Sequence, residues 1–166
     1  MNPTSLMEKA ARIKLIVTDI DGVWTDAKMY YTSDGELMKS FSTYDGMAVY
    51  LLKKAGIPTV IITGENSGPV AARAKKLNIE DVYLGISDKL EVFQEVLDKY
   101  DLSPGEVAYI GDDVNDYTVM QVAGLTASPA STPAFHILKP DILLERSGGD
   151  GAFRELADII LAAKDS

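Results

Sequence analysis

Ile13-Lys14-Leu15-Ile16-Val17-Thr18-Asp19-Ile20-Asp21-Gly22 is the stretch from which the rest of the chain can be read. A β-branched, largely apolar run without alternation fits a strand buried on both faces. Two carboxylates and a glycine follow at once, so Asp19 and Asp21 fall at its C-terminal end. That edge is where open α/β sheets take their ligands. Two like charges two residues apart are costly side by side unless a cation or a proton lies between them. Asp19 and Asp21 therefore point to a divalent metal, to a nucleophilic carboxylate with an acid/base partner, or to both.

Outward from that strand (13–20), apolar runs of strand length recur at 59–63, 82–84, 107–110, 124–127 and 142–144. Amphipathic stretches at 46–54, 69–77, 89–100, 114–122 and 152–163 separate them and read as helices. Strands alternating with helices predict an α/β fold, a doubly wound, Rossmann-like parallel sheet. One segment breaks the rhythm. Lys28-Met29-Tyr30-Tyr31, a Thr32-Ser33-Asp34-Gly35 turn and a return over 36–41 predict a β-hairpin inserted at about 28–41. It lies beside the two acids in sequence, and its tyrosine and methionine content favours a lid or a subunit contact.

A length of 166 residues suits one domain over 1–166 and is too short for two comfortable ones. With 16 basic against 25 acidic side chains the net charge is −9, which argues against nucleic-acid and anionic membrane partners. An anionic substrate then needs local help from a metal, a cationic side chain or helix N-termini. Cysteine is absent, excluding disulfides, thiolate zinc sites and cysteine nucleophiles. No run approaches the length of a membrane span and residues 1–12 carry no apolar leader, so the expected location is the cytoplasm.

Chemistry-bearing residues recur at strand ends. Thr63 closes Val60-Ile61-Ile62 and leads into Gly64; Lys89 opens the helix after Ile86-Ser87-Asp88; Gly111-Asp112-Asp113-Val114-Asn115-Asp116 follows Ala108-Tyr109-Ile110. Parallel strands bring their C-terminal ends together, so these groups are expected in one crevice. Their combined chemistry is phosphoryl transfer through an acyl phosphate. A carboxylate attacks phosphorus, and water then hydrolyses the aspartyl phosphate. Attacking anion and phosphate dianion repel each other, which calls for Mg²⁺ between them.

Asp19-x-Asp21-Gly22, Thr63, Lys89 and Gly111-Asp112-Asp113-x-x-Asp116 resemble, in order, the four motifs of the haloacid dehalogenase superfamily. The resemblance implies that Asp19 is the nucleophile and a Mg²⁺ ligand. It makes Asp21 the general acid/base, with its backbone carbonyl on the metal. Thr63 and Lys89 become the phosphate-binding pair, Asp112 the remaining metal ligand, and Asp113 and Asp116 supporting acids. An aspartate two residues past the nucleophile is the pattern of the superfamily's phosphatases and phosphomutases.

Neither the interval 22–62 nor the interval 64–88 has room for a cap domain, so the site is expected to be open or covered by another subunit. Asp-Gly-Val-x-Thr-Asp at 21–26, the hairpin, Asp45-Gly46 and the tail around Arg146 and Gly148-Gly149-Asp150-Gly151-Ala152-Phe153-Arg154-Glu155 narrow the resemblance. They resemble the small capless 3-deoxy-D-manno-octulosonate 8-phosphate (KDO 8-phosphate) phosphatases. That implies a sugar-acid phosphate as the small-molecule substrate and a homotetramer with active sites shared between subunits, to which Arg146 could contribute. One departure stands out. Glu65 follows Thr63-Gly64 where members acting on the eight-carbon acid carry arginine, and glutamate repels a substrate carboxylate unless paired. A Glu65–Lys76 pair with Arg73 nearby resembles the branch acting on 2-keto-3-deoxynononate 9-phosphate (KDN 9-phosphate), which is slightly favoured on this ground.

Two other functions share parts of this pattern. One is a non-catalytic, phosphatase-like module serving assembly in sialic-acid activation; the other is a receiver-like signalling domain. The complete motif set speaks against the first. The second lacks the mid-chain strand-terminal aspartate that a receiver phosphorylates, since that strand ends in Thr63. His136 reads as structural, and Trp24 as packing beneath the loop at 19–25.

Overall fold

The computed structural model describes residues 3–165. The principal sheet has six parallel strands in the order β5-β4-β1-β6-β7-β8. They are β1 (Leu15–Thr18), β4 (Thr59–Ile62), β5 (Asp81–Tyr83), β6 (Val107–Ile110), β7 (Leu125–Ser128) and β8 (Ile142–Leu143). β2 (Tyr30–Thr32) and β3 (Gly35–Met38) form the separate antiparallel hairpin. Every residue of β1, β4, β6 and β7 is buried, as the unalternating runs predict.

Alternate side chains of these strands feed two cores. Ile16, Ile61, Ala108 and Leu125 point to one face with α1 (Pro3–Ala11), α2 (Thr43–Lys54), α3 (Gly68–Lys76) and α7 (Ala152–Lys164). Leu15, Val17, Val60, Ile62 and Tyr109 point to the other, against α4 (Lys89–Tyr100), α5 (Tyr117–Met120) and α6 (Phe135–Leu138). Helices on both faces make the sheet doubly wound. Since β4 and β6 flank β1 in parallel register, Thr63 and Gly111 arrive on either side of Asp19.

Three boundaries differ from the sequence expectation. α2 starts at Thr43 because the Ser42 side chain caps it, accepting from Tyr44 N–H. The helix expected over 114–122 is a 3₁₀ turn, Val114–Asp116, followed by the short α5. The Asp116 carboxylate folds back onto Asp112 N–H and Asp113 N–H, which holds that first turn tight. α1 lies outside the stretches whose periodicity predicts a helix; it packs on α7 and is tied down by Lys9 on Asp141 at 2.9 Å. Among the described residues no helix is long and apolar enough to cross a membrane.

Candidate active site

The loop after β1 turns sharply, with Val23, Trp24 and Thr25 N–H all donating to Ile20 C=O. Gly22 permits this at φ +84°, and a Cβ there would overlap the Asp112 carboxylate, 1.8 Å from Oδ2. The tail approaches just as closely, since a Cβ on Gly148 would lie 1.9 Å from Gly22 C=O. Trp24 packs beneath this loop as expected. Its indole donates to Thr18 Oγ1 at 2.9 Å, and its ring lies 4.9 Å from that of Phe153.

Asp19 is buried at the end of β1. Its Oδ1 accepts from Ile20 N–H at 2.7 Å and its Oδ2 pairs with Lys89 Nζ at 2.8 Å. Lys89, at the start of α4 and 1% exposed in its side chain, also pairs with Asp116 Oδ1 at 2.7 Å. Asp116 Oδ1 takes a further hydrogen bond from the Tyr109 hydroxyl at 2.5 Å. Four donors thus saturate the Asp116 carboxylate, two on each oxygen.

Carboxylate oxygens of Asp19, Asp112 and Asp116 lie within 4.8 Å of one another. Three buried carboxylates around one ammonium leave an uncompensated negative charge. Burial first, then repulsion from Asp116, pushes Asp19 up to about 7 against the pull of Lys89. Burial, followed by Asp19, Asp116 and Asp113, pushes Asp112 up to about 8. Burial alone would lower the Lys89 value, but Asp19 and Asp116 outweigh it and raise it. The donor set fits a hard divalent cation, which prefers carboxylate oxygen and would relieve this repulsion. Asp19 and Asp112 keep free lone pairs for it; Asp116 does not.

Asp21 behaves differently from its neighbour. Its carboxylate is not one of the three clustered ones, and Oδ1 pairs with Lys39, which the sequence reading missed. This leaves its backbone, not its side chain, as the candidate metal donor. Thr63 is buried at the end of β4, and Gly64 lies below Ile86 C=O and Asn115 Nδ2, at 3.7 and 3.9 Å from a notional Cβ. The loops after β4, β5 and β6 therefore meet over one crevice. Asp113 is exposed and caps the 3₁₀ turn through Val114 N–H at 2.7 Å.

The remaining candidates lie apart. Glu65 and Lys76 are both exposed and form no ion pair, which corrects the expected pairing. Gly68 and Lys76 bound α3, and a nine-residue helix carries its last residue about 12 Å from its first. Arg73 instead donates to Ser42 C=O at 3.3 Å and lies 5.9 Å from the Phe41 ring centre. Arg146 lies 5.8 Å from the ring centre of Tyr44 and donates to Asp150 C=O at 3.3 Å, in its own chain. Both arginines contribute to the field around Asp45 near the start of α2. His136 is exposed on α6, against Phe135.

Fold and site together define a hydrolase class, and comparison with known proteins agrees. The profile of the haloacid dehalogenase-like hydrolases matches residues 30–124. The 3-deoxy-D-manno-octulosonate 8-phosphate phosphatase of Salmonella typhi is 37% identical over 161 residues, covering 97% of this chain and 86% of that protein. The crystal structure of the Yersinia pestis phosphatase of the same name superposes with a TM-score of 0.93 at 38% identity, over 97% of this chain and 87% of that one. The Moraxella catarrhalis enzyme, solved with magnesium ion, phosphate ion and KDO, superposes with a TM-score of 0.93 at 34% identity, over 99% of this chain and 94% of that one. The chain belongs to the haloacid dehalogenase-like hydrolases, in the family of the 3-deoxy-D-manno-octulosonate 8-phosphate phosphatases.

Proposed function

We propose that the chain is a Mg²⁺-dependent phosphatase that releases inorganic phosphate from a 2-keto-3-deoxy sugar-acid phosphate, with KDO 8-phosphate as the favoured substrate. The observation that carries this reading is the buried Asp19–Lys89–Asp116 cluster beside Asp112, at the ends of β1 and β6. The named relatives act on KDO 8-phosphate and support the eight-carbon acid. The lean toward KDN 9-phosphate loses its footing, because the Glu65–Lys76 pair that motivated it does not form.

In this reading Asp19 is the nucleophile, and Lys89 holds its Oδ2 and receives a phosphate oxygen. Thr63 and the backbone at Gly64 take further phosphate oxygens. Asp116 is a positioning residue for Lys89, and Asp113 holds the turn that presents Asp112. Asp19, Asp112 and the Asp21 carbonyl would hold Mg²⁺, which when bound neutralises charge between carboxylate and phosphate. Asp21 gives its proton to the ester oxygen as the Asp19–phosphorus bond forms and the alcohol leaves. It then takes a proton from the water that attacks phosphorus, freeing Asp19 and phosphate. The reading also includes a single domain over 1–166, a homotetramer, and substrate contacts from Glu65, Arg73, Lys76 and a neighbour's Arg146.

The test is phosphate release with Mg²⁺ from KDO 8-phosphate and KDN 9-phosphate side by side. Turnover should fall below detection in Asp19→Asn, which keeps shape but removes the attacking charge. The ratio of kcat/KM values decides the chain length of the sugar acid. Full activity in pure Asp19→Asn would remove the nucleophile assignment.

A further inference from the structure

Lys39 follows β3, and its side chain is wholly enclosed although most of the hairpin around it is exposed. Its ammonium pairs with Asp21 Oδ1 and, at 3.0 Å, with Glu36 Oε1. Glu36 Oε2 accepts from Ser67 Oγ at 2.5 Å, and Ser67 is the residue that caps α3. An unbroken polar chain thus runs from the loop after β1, through the hairpin, to the helix after β4. A two-stranded ribbon gains nothing for itself by burying an ammonium, which loses its hydration there. The compensating charge it finds outside the ribbon is Asp21. Among the described residues Oδ2 of Asp21 has no hydrogen-bond partner, and its side chain remains 21% exposed.

We propose that Lys39 is the positioning residue for the acid/base Asp21: it grips Oδ1 and leaves Oδ2 facing the ester oxygen, while Glu36 and Ser67 hold Lys39 in turn. The inference rests on the reading of Asp21 as general acid and base. Oδ2 carries the proton to the departing alkoxide as the phosphorus–oxygen ester bond breaks. The same oxygen receives the proton of the attacking water as the bond from Asp19 to phosphorus breaks. Without Lys39 the carboxyl group rotates freely, and both transfers lose their geometry. The hairpin then has a catalytic task within its own chain, beyond any contact with a neighbour.

The experiment uses leaving-group dependence, which a purely structural role does not alter. Lys39→Met should lower kcat/KM on the sugar-acid phosphate, which reports the steps up to departure of the alcohol, by about tenfold to a hundredfold. On p-nitrophenyl phosphate, whose leaving group departs without a proton, kcat/KM should fall by no more than about threefold, while hydrolysis of the aspartyl phosphate slows alike for both substrates. Lys39→Arg should recover part of the loss, and Asp21→Asn should show the same split in kcat/KM. The double variant should be no slower than Asp21→Asn alone, as expected when one residue acts through the other. Glu36→Gln, which loosens the brace but keeps the lysine, should give a smaller split in the same direction and serves if Lys39→Met folds poorly. If Asp21→Asn lowers kcat/KM equally for both substrates, the acid/base reading falls and the inference with it. If Asp21→Asn splits them but Lys39→Met and Glu36→Gln do not, the role of Lys39 alone is overturned.

Discussion

Asp45 illustrates how much of this protein is settled by single side chains. It lies in the first turn of α2, yet its carboxylate answers N–H groups at the start of α7: Arg154 at 2.9 Å, and Gly151. Its other oxygen is buried without a partner. Burial raises its pKa to about 6, against the opposing effect of those N–H groups, Arg146 and Arg73. The unfolded chain leaves it near 4. Between those values the folded state binds the extra proton, so this residue's contribution to stability declines as pH rises from about 4 to about 6. Asp45→Asn removes that titration. The melting temperature of the variant should therefore gain on the wild type between pH 4.5 and pH 6.5. A difference that stays flat across this range would show that Asp45 does not titrate there. At the same scale, Tyr109 shows why some site residues are hard to read: a tyrosine within an apolar strand looks like core, and only the fold reveals its hydroxyl on Asp116.

The hairpin is the element with the most unspent surface. Tyr31 and Leu37 are each 62% exposed, and Tyr30 and Met38 about half exposed. A lone two-stranded ribbon is marginal in water, and a cluster of exposed apolar side chains on it marks a contact surface. Under the proposed tetramer, sedimentation should give the mass of four chains. Tyr31→Asp combined with Leu37→Asp should release smaller species and lower kcat/KM for the sugar-acid phosphate. Full activity in a monomer would reject shared sites. The hairpin and its turn were legible because Asp34-Gly35 and the flanking residues are local signals. The consequence of α3 was not: the spacing of Glu65 and Lys76 looked compatible with pairing until the helix between them set their separation.

At the scale of the whole molecule, the sheet order gathers the ends of β1, β4 and β6, and the price is a knot of buried acids. Asp19 and Asp112, pushed up to about 7 and 8, hold protons in the folded, cation-free protein that an unfolded chain would release near pH 4. Their contribution to stability is therefore lost as pH climbs toward 8. A bound divalent cation competes with those protons and removes the loss. The rise in melting temperature on adding Mg²⁺ to chelator-treated protein should accordingly grow between pH 6 and pH 8.5. An increment independent of pH would mean that these two carboxylates do not form the cation site.

What the sequence determined by itself was the sheet and the edge at which the candidate site residues gather. Buried parallel strands announce themselves as unbroken apolar runs, and residues directly after such runs must emerge at the same edge. Asp19, Thr63, Lys89 and Asp112 were legible for that reason. Tertiary structure alone decided which charges face each other. Lys39 and Asp21 are 18 positions apart and Ser67 and Glu36 are 31 apart, while Asp45 reaches Arg154 across 109. No periodicity encodes such partners, because a side chain's partner depends on how distant segments pack together and on the desolvation that this packing imposes.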